Sequence, residues 1–143
     1  MQSDQHNSQT KGRLFRSDFI DEALRKLHLA CGSGIKASVV VNRDGLLVAS
    51  YPPGDEDSLL SPIASLQVAA MSATLTGLAE RTLSRLAQGN FERLMMEGEL
   101  GVMVIYPAGR ATLAVLADKD AQMSRVLFAT RRATDEIVTV LES

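Results

Sequence analysis

Apolar positions along this chain fall into three stretches of helical spacing and five short runs of strand-like spacing. In the first stretch Ile20, Leu24, Leu27 and Cys31 recur every three or four residues behind the possible caps Ser17 and Asp18. Gly32 and Gly34 stop that helix, and β-branched residues at 37–41 lead through Asn42-Arg43-Asp44-Gly45 into a second run at 46–50, a hairpin pattern. Residues 61–86 carry a long helical pattern, with Ser61-Pro62 as cap and first position, Ser58 as an earlier start, and Gln88-Gly89-Asn90 as a stop. Runs at 91–96, 101–106 and 111–117 read as a three-stranded meander. Met123, Val126, Leu127, Thr130, Ala133, Ile137, Val140 and Leu141 then mark a closing helix. The order α-β-β-α-β-β-β-α, with hairpin-length links, predicts an α+β fold: one five-stranded antiparallel sheet sandwiched by helices. The first and last helices cover one face and the second covers the other.

The second helix has two apolar sides. At about 100° per residue, Val68, Met71, Leu75, Leu78 and Leu86 form a bulky side, expected to face the sheet, with Leu66, Ala69, Ala70, Ala73 and Gly77 roughly opposite. Small residues let another backbone approach closely, so this second side is expected to meet a partner helix. The strand at 91–96 is expected to lie at a sheet edge that a partner strand covers. Together these assign a dimer interface of Leu66, Ala69, Ala70, Ala73, Gly77, Phe91, Leu94 and Met96.

A chain of 143 residues suits one domain. Residues 1–13 are polar without apolar period and are expected to form a disordered arm ahead of a single domain over 14–143. With 15 basic and 17 acidic residues the net charge is −2, which gives no bulk attraction for nucleic acid or anionic lipid. The lone Cys31 makes no internal disulfide and no leader pattern opens the chain, so a cytoplasmic protein is expected. No apolar run approaches the roughly 20 residues of a membrane span, so no insertion into a membrane is expected.

Catalytic chemistry is not written in the sequence: no nucleophile with a base, no defined carboxylate pair and no metal set. His28 and Cys31 sit three residues apart, yet a structural zinc needs four ligands, so they read as a surface histidine beside a buried thiol. Gly32-Ser33-Gly34-Ile35-Lys36 follows a helix and precedes a strand, the reverse of a phosphate loop. Asp55, Glu56 and Asp57 lack the alternating oxygens of a calcium site, and Met71, Met95, Met96, Met103 and Met123 read as core filling. No cofactor, metal or enzymatic activity is expected.

The sequence resembles the Roadblock/dynein light chain 7 family over roughly residues 15–141, with a roadblock/profilin-like fold. The resemblance rests on Gly34-Ile-Lys-Ala-Ser-Val-Val-Val-Asn-Arg-Asp-Gly-Leu-Leu-Val-Ala-Ser50, the Ala-rich second helix with Phe91-Glu-Arg-Leu after it, and Ala111-Thr-Leu-Ala-Val-Leu-Ala117. It implies a homodimer, or a heterodimer with a paralogue, in which second helices pair and the strand at Phe91 joins its mate. Prokaryotic members look like regulators of Ras-like small GTPases, and eukaryotic ones like dynein light chains or GTPase scaffolds. Met1-Gln2 lacks the myristoylation signal of a membrane scaffold. The resemblance thus implies a dimeric, non-catalytic regulator or scaffold of a Ras-like GTPase, with Gln67, Thr74, Arg81 and Arg85 as contact residues and an arginine in trans as a possible activating group. The alternatives are a small-molecule sensor, or a dynein-light-chain-like structural subunit of a larger complex.

Overall fold

Two helices on one side of a five-stranded sheet and one on the other enclose the described chain, a computed structural model covering residues 2–53 and 66–142, with side chains from residue 16. The elements are α1 (Gln2–Cys31), a 3-10 turn (Gly32–Gly34), β1 (Ile35–Asn42), β2 (Leu47–Tyr51), α2 (Leu66–Arg85), β3 (Leu94–Glu97), β4 (Gly101–Ala108), β5 (Ala111–Asp118) and α3 (Met123–Glu142). This is the expected order. The backbone of α1 takes in the segment read as a disordered arm, and among its described side chains the first in the core is Ile20. The expected cap at Ser61-Pro62 and the acids Asp55 to Asp57 lie outside the described residues.

The strands run β2-β1-β5-β4-β3, every neighbouring pair antiparallel. The last strand in sequence is therefore the middle strand in space, and its alternate residues serve both layers. Leu113, Val115 and Ala117 pack with Leu24, Leu27, Val126, Ala133 and Ile137 under α1 and α3, whereas Ala114 joins Val39, Val41, Ile105 and Ala69 under α2. A register shift between Ile35 and Ala37 explains why Ile35 serves the first layer while Ala37, two residues on, serves the second.

The β1–β2 turn is organised by one side chain. Asn42 Oδ1 accepts the backbone N–H of Asp44 and of Leu46, each at 3.0 Å, and Gly45 takes φ +83°. A Cβ at Gly45 would come 3.2 Å from the Ala70 Cα, so this glycine both closes the turn and lets it slide beneath α2.

His28 is less exposed than expected. Its Nε2 is 2.9 Å from Ser38 Oγ, whose residue is fully buried, and its ring lies 4.5 Å from that of Tyr51. The Cys31 thiol is half-buried and points at the Arg125 carbonyl at 3.9 Å. These two side chains are thus engaged by different neighbours.

Two outcomes test this account. Leu113 is fully buried in the central strand, so Leu113→Ala should cost about 2–5 kcal/mol in urea denaturation. Burial pushes His28 down from its ordinary 6.5 to about 4, so across that window the unfolded chain binds a proton that the folded one refuses. Stability should be full above about pH 6.5 and fall as pH drops toward 4. The melting temperature of His28→Gln should fall less between pH 7 and 5.5 than that of the parent.

Candidate functional site

Only part of α2 meets the sheet. Ala69 is 0% exposed and Ser72 1%, and with Thr76 they form the helix's buried line, flanked by the half-buried Val68, Ala73 and Leu75. Hydroxyls can occupy this line because each donates to the carbonyl one turn back. Ser72 Oγ donates to the Val68 carbonyl at 2.8 Å, and Thr76 Oγ1 to that of Ser72 at 3.0 Å. Thr76 Oγ1 also accepts from Thr112 Oγ1 of β5 at 3.3 Å, a polar tie between helix and sheet.

The face assignment made from sequence needs correction. Met71, expected to face the sheet, is 61% exposed and Leu78 52%, and Leu86 is outside as well. Ala69, Ala73 and Leu94, expected at a partner interface, pack in the layer against the chain's own sheet, and Phe91 from the same set is buried. Leu66, Ala70 and Met96 from the same set are exposed, and Gly77 is half-buried beside a cleft. The reason is that the buried arc lies between the two apolar sides of the sequence pattern and is centred on hydroxyl residues that an apolar count passes over. Methionines assigned to filling split likewise: Met103 and Met123 pack against the core, while Met71, Met95 and Met96 are exposed.

What remains outward on α2 is a continuous stripe. Gln67, Met71, Thr74, Leu78, Arg81 and Arg85 follow one another at steps of four and three, and all are exposed. The four candidate GTPase contacts therefore share one face with two large apolar side chains that the sequence reading had placed elsewhere. Thr74 and Thr82 bond back to Ala70 and Leu78, so their hydroxyl protons are already engaged. Beside α2 the sheet ends at β3, which pairs only with β4 among the described strands. Register puts Leu94 and Met96 on the α2 side with Ile105 and Met103, and Met95 on the α3 side with Val104. Exposed large apolar side chains and a strand edge with no described neighbour are features that protein partners commonly cover. Among the described residues no group of three metal-ligating side chains occurs, and no helix is long and apolar enough to cross a membrane.

Residues 27–117 match the Roadblock/LC7 domain family. An uncharacterized protein of Methanocaldococcus jannaschii is 37% identical over 118 residues, covering 82% of this chain and 96% of its own. Among solved structures, gliding protein MglB of Thermus thermophilus superimposes with a TM-score of 0.73 at 18% identity, over 89% of this chain and 91% of that one. A Roadblock/LC7 domain of Streptomyces avermitilis gives 0.74 at 19%, over 86% and 98%.

Two substitutions read the corrected faces with opposite signs. Ala69→Leu forces a larger side chain against the sheet and should cost about 1–3 kcal/mol. A Cβ at Gly77 would meet nothing within 4 Å, so Gly77→Ala should stabilise by about 1 kcal/mol, the usual cost of glycine inside a helix. Urea midpoints of the two variants should move in opposite directions.

Proposed function

The chain belongs to the Roadblock/LC7 domain family, and from that membership we propose that it is a dimeric, non-catalytic regulator or scaffold of a Ras-like small GTPase. The observation that carries the reading is the exposed Met71–Leu78–Leu86 flank of α2 lying on the layer that ends at the free edge of β3. A second copy, or a paralogue, packs its own α2 against that flank, with Leu66, Ala70 and Met96 at the periphery, and pairs its β3 with this one to extend the sheet. This buries large apolar side chains and satisfies the open strand edge together. Gln67, Thr74, Arg81 and Arg85 share the exposed face of α2 with Met71 and Leu78 and form the polar margin of the helix pair. There they are suited to a polar, reversible contact with the GTPase. Regulation follows from preferring one arrangement of the GTPase's switch segments, since a partner shifts a conformational equilibrium only by its differential affinity for the two states.

Two measurements test this. Met71→Glu/Leu78→Glu should turn a dimer into a folded monomer by light scattering and circular dichroism, and a dimer that persists places the interface elsewhere. Affinity for a candidate GTPase should differ between its GDP form and a non-hydrolysable GTP analogue, and should fall at least tenfold in Arg81→Glu/Arg85→Glu. Equal affinity in the two states reduces the role to scaffolding, and undiminished binding moves the contact off α2.

A further inference from the structure

On the flank of α2 away from Met71 and Leu78, a cleft of about 200 Å³ opens between the helix and the β4–β5 turn, and a larger surface groove continues from it. Arg43 from the β1–β2 turn and Glu80 from α2 line both spaces. They carry opposite charges in one cleft, yet no ion pair within 4 Å joins them among the described residues. The floor holds Thr76 and Thr112, both more than nine-tenths buried. Thr112 Oγ1 donates to Thr76 Oγ1 and, among the described residues, receives no donor of its own. Gly77 borders the same space, and a Cβ there would touch nothing, so no side chain of this chain fills the cleft from that position.

We propose that this cleft binds a small zwitterion of the α-amino acid class, with its carboxylate on Arg43, its ammonium on Glu80 and the Thr112 hydroxyl as a further acceptor for the ammonium. A guanidinium donates to a carboxylate and a carboxylate accepts from an ammonium, so each charge of the ligand meets the group of opposite sign and like charges are kept apart. Two opposed, unjoined charges around a concave space with a hydroxyl floor are the few convergent polar groups that small-molecule sites use. The ligand's side chain points toward Pro107 and the open groove, so selectivity among amino acids comes from size and not from a further charge. This site is separate from the α2 flank proposed for dimerisation and does not depend on the identity of any protein partner.

Calorimetry on the full chain with L-serine, L-threonine and L-leucine tests the assignment. At least one should bind saturably, and its N-acetyl and carboxamide derivatives, each lacking one charge, should bind at least tenfold more weakly. Glu80→Gln should abolish discrimination against the N-acetyl form, and Arg43→Gln discrimination against the amide. Gly77→Leu should stay folded and lose binding. Absence of binding by all three amino acids overturns the proposal, as do blocked derivatives that bind equally well. Conversion of a dimer to a monomer by Gly77→Leu also overturns it, because the space then belongs to a second copy.

Discussion

The close seating of α2 on the sheet constrains everything else on that face. A helix approaches a strand layer closely only where its side chains are small, and α2 supplies Ala69, Ser72, Ala73 and Thr76 along the line of approach. The two hydroxyls are not a burden there, since each is satisfied by its own helix one turn earlier. Hydroxyls spent in this way behave as slightly larger alanines. With the inner line occupied by small residues, the large ones, Met71, Leu78 and Leu86, are left outside. The exposed apolar flank of α2 is thus a by-product of the packing that holds the helix down.

The two layers differ in how they are closed. On the α1 and α3 side, Leu24, Leu27, Val126 and Ile137 bring large side chains to the sheet, and Tyr106 and Val104 are roofed by Met123 and Leu127. On the α2 side a single helix covers Ala37, Val39, Ile105 and Ala114, and half-buried residues such as Met103, Leu116 and Leu94 fringe it. The first layer resembles a finished interior, whereas the second keeps a fringe of half-buried apolar side chains at its margin.

Most of the architecture was legible in the chain because strands and two of the helices declare themselves through period alone. The Asp44-Gly45 turn, the three runs after residue 90 and the stripe of α3 all stand within a few residues of their expected positions. The rotation of α2 about its own axis was not legible. Periodicity weighs apolar side chains, and in this helix the buried arc is centred on Ser72 and Thr76, whose burial depends on a local hydrogen bond that hydropathy does not register. The spacing of Ala69, Ser72, Ala73 and Thr76, three and four residues apart, carried the signal once serine and threonine are counted as helix-satisfied. Strand register was equally out of reach for the cleft, since Arg43, Glu80 and Thr112 are far apart in sequence and meet only through the β1–β5 pairing and the seating of α2 on β5.

That pairing has a temporal consequence. Ile35 lies opposite Ala117 and Asn42 opposite Ala111, so the first strand waits for the fifth before it has a neighbour on its inner side. As the chain leaves the ribosome, the β1–β2 hairpin and the apolar stripe of α1 emerge with nothing to close over, and α2 follows with only half a sheet to rest on. Contacts of such long sequence separation are slow to form and leave apolar surface open meanwhile. The sheet therefore closes late, when the strand ending at Asp118 inserts into its middle, and the layer that α1 began is completed only when α3 follows.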